Sequence, residues 1–215
     1  MSRISKFNVP DELLEWVVMN IDPKLREYRH KLVKPIVFTR DMIQKLFNLP
    51  SGATPVVHLK KSEHTDLRNM YRDGVHPAAR APIPFLENLL ENCADDDTVM
   101  INRSFDLLAF ATVLFPGTSN IVPLDYLGSL LDMDRVHEYA WDEEVLKFCM
   151  EQVSEFQAKR THQKDNPDLP IKTFSIGSCL PALVVSFQIL LQFSLLLFQL
   201  QYMTILFISC CCTCW

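Results

Sequence analysis

From Leu180 to Trp215 the chain contains no Asp, Glu, Lys, Arg or His. A stretch of that kind enters a membrane, fills the core of a fold, or stands outside the fold altogether. All 21 Lys+Arg and all 26 Asp+Glu lie at or before Lys172, so the chain is two unlike pieces joined end to end. Residues 1–172 read as a charged, mildly acidic helical region, 173–185 as its last segment, and 186–215 as an uncharged apolar tail.

The charged piece bounds the function classes. A net charge of -5 argues against general nucleic-acid binding, which needs clustered Lys and Arg to neutralise phosphates. "LKKSEH" and "EFQAKRTHQK" are locally basic, but neither alternates with aromatic residues, and both read as solvated helix faces. Cys93, Cys149 and Cys179 are isolated in sequence, with no Cys-x-x-Cys pair and no histidines at zinc-ligand spacing. They are expected to be small buried hydrophobes in a reducing compartment, whereas the other four cysteines crowd into "CCCTCW" at the end of the tail. The first residues lack the apolar core of a signal peptide.

Hydrophobic periodicity predicts a mainly α, compact multi-helix domain with one small β-hairpin near residues 27–38, plus an apolar C-terminal helix. "VPDELLEWVVMNID" is the first helix, with Leu13, Leu14, Trp16, Val17 and Ile21 as its stripe. Thr39 is placed to cap "RDMIQKLFNL", with Met42, Ile43, Leu46 and Phe47 on one face and Pro50 and Gly52 as its stop. Ser62 is expected to cap a short helix closed by Gly74, and Ser104 to cap "FDLLAFATVLF". "FLENLLENC" and "PLDYLGSLLD" are further helices. The longest begins near Trp141, with Trp141, Val145, Phe148, Cys149, Val153 and Phe156 at three-four spacing and acids crowded at its start. "THQKDNPDLP" then reads as a polar linker.

One polar cluster invites a chemical reading. "DMDRVHEYAWDEE" holds Asp132, Asp134, His137, Glu138, Asp142, Glu143 and Glu144, and a His among carboxylates can be a general base or a metal ligand. An inter-helix connection followed by an acidic first turn accounts for the same residues without catalysis, and that is the expectation. Cys149 on an apolar helix face and Cys93 beside three aspartates are poor nucleophiles. With five glycines and no Gly-rich turn between strand and helix, the chain has no phosphate-binding loop; "LPSGATP" and "FPGTSN" read as helix stops. Trp16, Phe47, Phe105, Phe110 and Trp141 are expected in the core rather than in a ligand cage. No catalytic residue, cofactor site or metal site is assigned.

Six stretches, "EWVVMNIDP", "IVFTRDMIQKLFNLPSG", "SFDLLAFATVLFPGTSN", "LDYLGSLLD", "HEYAWDEEVLKFCMEQV" and "GSCLPALVV", occur in an order that resembles the plant mobile domain ("aminotransferase-like") proteins. The likeness is to grass versions derived from transposable elements, often fused to a SUMO-type cysteine protease domain. It implies a helical, non-catalytic module that works through protein partners in the nucleus. It carries over no catalytic residue, and the residues offer no Schiff-base Lys or phosphate cup for the pyridoxal chemistry in the family's label. One alternative is an N-terminal fragment of a protease-bearing polyprotein.

Another alternative is a single-pass membrane protein anchored by residues 180–209, which exceed the roughly 20 residues a membrane-spanning helix needs. Lys159, Arg160, Lys164 and Lys172 before them would keep the N-terminal domain cytosolic. The family-like text ends at Val185, and Val185-Ser186 can be encoded by the start of a plant intron, whose T-rich sequence translates into residues like those of the tail. The expectation is therefore a retained intron or a truncated gene model. Sequencing the transcript across these two codons should show a spliced message continuing into family-like sequence; unspliced message alone in polysomes would contradict it.

Overall fold

In the computed structural model, the described residues are 11–166 apart from Leu32, Lys61, Asp73, 75–80, Asp95 and 118–119. The expected apolar C-terminal helix, the linker's last residues and the tail lie outside them. The described chain is mainly helical, with a small antiparallel sheet, as expected.

Helix α1 (Asp11–Met19) buries Leu14, Val17 and Val18. It stops earlier than the periodicity suggests. The Asn20 side chain donates to the Trp16 carbonyl, and the Asp22 carboxylate accepts from the N–H groups of Lys24 and Leu25, which turns the chain. Ile21 therefore sits in a strand, not on the helix. Strands β1 (Ile21–Asp22), β2 (Glu27–His30) and β3 (Val33–Val37) form a sheet in that order, so the expected hairpin gains a third, two-residue strand. Tyr28 pairs with Ile36 across the ladder, and Phe38 donates to the Arg26 carbonyl. By antiparallel alternation Pro35 then faces the free edge, where its missing N–H breaks no bond.

Helix α2 (Arg40–Phe47) starts as expected, with the Thr39 hydroxyl accepting from the Met42 N–H. Asn48, in the left-handed region at φ 52°, ends it, ahead of the Pro50 and Gly52 expected to do so. Only Ile43 of its expected face is fully buried, and Leu46 is exposed. Short α3 (Thr65–Met70) begins at His64, not at Ser62, and α4 (Ile83–Glu91) follows Pro82. Helix α5 (Thr98–Ala109) begins about two turns before the expected start, because the Asp97 carboxylate caps it by accepting from Met100. Ser104 is buried in mid-helix. The helix widens into a π-turn (Phe110–Leu114), where Phe115 donates to the Phe110 carbonyl. "PLDYLGSLLD" forms a 3₁₀ helix (Leu124–Leu130), and a second 3₁₀ helix (Met133–Glu138) leads into α6 (Trp141–Asp165).

Helix α6 organises the core. Trp141, Val145, Cys149, Val153 and Phe156 are buried, as the spacing predicts, Phe148 is only half-buried, and Leu146 and Met150 join the core. The helix packs on α1 and α2. It also runs through the first residues of the expected linker. Gln157 reaches from it to the carbonyls of Val18, in the last turn of α1, and of Ile21, in β1, both at 2.8 Å. Cys149 is disulfide-bonded, not the free thiol expected.

Between α2 and α3 the chain from Ser51 to Lys60 has no helix or ladder of its own, yet it is fixed along its length. Thr54 exchanges backbone hydrogen bonds with Glu138 and Ala140, Val57 donates to the Ser129 hydroxyl at 2.7 Å, and Leu59 donates to the Asp125 carbonyl. This strap lies so close to its neighbours that two glycines are obligatory. A Cβ on Gly52 would lie 2.0 Å from the Glu138 carbonyl oxygen, and one on Gly128 would lie 2.4 Å from that of Val57. Neither glycine has a positive φ, so the requirement is for space alone. Gly128→Ala and Gly52→Ala should each destabilise by about 2–3 kcal/mol, read as a lower urea midpoint with unchanged slope. By contrast Gly74→Ala, which has open space and a strained φ of 69°, should cost about 1 kcal/mol.

Candidate functional site

The acidic run singled out by the sequence divides into two parts in three dimensions. Asp132 caps the second 3₁₀ helix by accepting from the Asp134 N–H, and Glu138 pairs with Arg135. Asp134 and His137 are exposed beside them, and the His137 side chain makes no hydrogen bond among the described residues. The carboxylates of the α6 first turn turn inward. Asp142, Glu143 and Glu144 each take a side-chain partner from a different, distant segment.

Asp142 lies deepest, with its side chain 1% exposed. Arg40, on the first turn of α2, approaches it with a fork: Nη2 to Oδ1 at 2.9 Å and Nε to Oδ2 at 3.1 Å. Ser51 Oγ donates to Oδ2 and the Glu143 N–H donates to Oδ1, both at 2.9 Å. Each carboxylate oxygen thus accepts two hydrogen bonds, which uses all the acceptor positions an ionised carboxylate offers. Arg40 Nη2 also donates to the Gly52 carbonyl at 3.0 Å, so one guanidinium ties α2, the strap and α6 together.

Glu143 receives a second fork, from Arg26 in the turn between β1 and β2, at 2.7 and 3.2 Å. Arg26 is held in the left-handed region at φ 54°, a conformation that costs a side-chain-bearing residue roughly 1–2 kcal/mol. The fork and the bond from Phe38 to its carbonyl hold it there. Glu144 accepts from His58 of the strap at 3.0 Å, and the His58 ring lies 4.8 Å from that of Tyr126. Tyr126 stacks on Phe115 at 4.2 Å and closes an aromatic cluster with Phe110 and Trp141, whose Nε1 donates to the Val136 carbonyl. Phe110 and Trp141 are core residues as expected, but Trp16 is half exposed and Phe105 faces solvent.

The charges behave accordingly. Burial pushes the Asp142 carboxyl upward, but Arg40, Ser51 and the Glu143 N–H together outweigh it and leave the pKa below the usual carboxylate value. The hydrogen bonds to Glu143 and Asp142 raise the already high values of Arg26 and Arg40. Burial, followed by the charges of Glu144, Glu151 and Asp125, raises the Tyr126 phenol, which stays neutral. Asp142, Arg26, Arg40 and Tyr126 are each shifted away from neutral pH and hold one protonation state there. Among the described residues no group of His, Cys, Asp and Glu is arranged to hold a metal ion.

A family described as "Domain of unknown function (DUF8566)" matches residues 1–183. The chain belongs to this family. No curated protein and no solved structure matches it. In this DUF8566 domain the partners of the acidic turn were missed by the linear reading because they lie 86 to 117 residues away in sequence. One signal was available. Arg40 stands at the first position of a helix, where the macrodipole disfavours a cation, so an acid from elsewhere had to offset it.

Arg40→Ala should cost about 3 kcal/mol at neutral pH, since it leaves Asp142 ionised and buried without its counter-charge. Asp142 has a depressed folded pKa, so its contribution is complete above about pH 4 and is lost as pH falls through the folded value. Asp142→Asn should therefore be less stable than the parent at neutral pH and converge on it in acid. Urea melts across that range would show the two curves closing; parallel curves would contradict the assignment.

Proposed function

We propose that this domain is a non-catalytic interaction module of a transposon-derived plant protein, working through protein partners in the nucleus. The origin, the partners and the compartment come from the resemblance to plant mobile domain proteins. The observation that carries the absence of catalysis is the use made of the acidic turn. Its three carboxylates hold three separate segments, and the most buried one has no acceptor position left for a substrate. A catalytic base needs a reachable lone pair and a pKa near the working pH, and a depressed, fully engaged Asp142 has neither.

No helix among the described residues is long and apolar enough to cross a membrane, and the stretch 180–209 behind the anchor alternative lies outside them.

The test is cross-linking mass spectrometry on the tagged full chain in plant cells. Reproducible cross-links from lysines of residues 11–166 to other proteins are expected, with the chain recovered from nuclei. A chain that cross-links only to itself, or that stays in membranes after alkaline carbonate extraction, would overturn the proposal.

A further inference from the structure

Helix α5 and its π-turn carry a second face that the core does not use. Inward, Ser104, Leu107, Phe110, Ala111 and Leu114 are buried. Outward, Val99, Asn102, Asp106, Ala109 and Val113 recur at alternating steps of three and four, the spacing of a helix that packs along another helix. Phe105 stands beside this seam and is 63% exposed, more than any other large apolar side chain among the described residues. Val99 and Val113, at the two ends of the seam, are also exposed. The outer face of a solvated helix is normally charged. From Thr98 to Leu114 there is no Lys and no Glu, and the two charges are Arg103 and Asp106.

Those two charges do not pair with each other. Arg103 turns its guanidinium to the carbonyls of Leu130 and Leu131, at 2.8 and 3.3 Å. Asp106 is half-buried, and its carboxylate makes no hydrogen bond or ion pair among the described residues. Burial raises its pKa, and no donor offsets that cost. Asn102, one turn earlier on the seam, likewise has no hydrogen bond to its amide among them. The domain fills every acceptor position of Asp142 and none of Asp106. We infer that the outer seam of α5 receives a helix of a partner protein, with apolar residues against Val99, Phe105 and Val113 and a Lys or Arg opposite Asp106. Charge complementarity chooses this occupant. A second copy of α5 would set Asn102 or Asp106 against Asp106 and bring no free cation. A nucleic acid or an anionic membrane would bring phosphates to an acid. The seam runs for about 21 Å along the axis, which makes a small, exchanging contact rather than an obligate one. The inference rests on the interaction-module reading and names its surface.

Two labelled helical peptides test it, alike in an apolar leucine seam and differing at one central seam position, Arg in one and Glu in the other. Fluorescence anisotropy against the full chain should show saturable binding of the Arg peptide, about tenfold or more tighter than that of the Glu peptide. Phe105→Ala should weaken both. Asp106→Arg should reverse the preference, and the milder Asp106→Asn should erase it. Glu12→Arg, exposed on α1, makes the same change in net charge as Asp106→Arg and should leave the preference within about twofold at physiological salt. The circular dichroism spectra of the variants should match the parent, because none removes a buried pair. No saturable binding by the folded parent, a preference that Glu12→Arg shifts as far as Asp106→Asn does, or self-association of the chain that Phe105→Ala abolishes would each overturn the assignment. Cross-links to partners that persist in Phe105→Ala/Asp106→Asn would remove this seam alone, whereas an absence of partners in the parent removes the reading beneath it.

Discussion

A carboxylate with 1% of its side chain exposed holds this domain in register. Asp142 could not be ionised at that depth without help, because removing a charge from water costs far more than a typical contact returns. Arg40 alone would not suffice, since its own side chain is partly in water. The site works because four donors converge on two oxygens and leave none unfilled. Those donors come from α2, the strap and α6, so the ion is satisfied only when all three are assembled. Directional bonds of this kind select one packing of the apolar surfaces around them, which burial on its own does not do.

The arrangement continues along the helix. Glu143 fixes the turn of the small sheet through Arg26, and Glu144 fixes the middle of the strap through His58. Three successive residues of one helical turn point about 100° apart, so they reach three directions from one origin. The acids also favour the helix N-terminus by their charge.

Much of this architecture was legible in the sequence. The three-four spacing from Trp141 to Phe156 gave α6 its start and its buried face, and Thr39 marked the start of α2. Two other readings that rested on a capping residue fared worse. Ser62 and Ser104 have the right chemistry, but His64 and Asp97 hold the positions, and which residue wins depends on packing several turns away. The strap was the largest loss. "LPSGATP" reads as punctuation because Pro and Gly break helices, whereas here Gly52 is required for close approach to the Glu138 carbonyl. Nothing local encodes that distance. Even so, "IVFTRDMIQKLFNLPSG" and "HEYAWDEE" contain Arg40, Ser51, Gly52 and Asp142, the parts of this one junction.

The separation of those parts sets an order of events during synthesis. Arg40 and Asp142 are 102 residues apart, and the strap's other anchors, Asp125, Ser129 and Glu138, also come late. A chain emerging from the ribosome at about 5–20 residues per second exposes α2 and the strap for several seconds before the first turn of α6 appears. During that interval the strap has no ladder to join and Arg40 has no acid to meet. The N-terminal half emerges before the residues it packs on, and the junction is complete only once the first turn of α6 has been made.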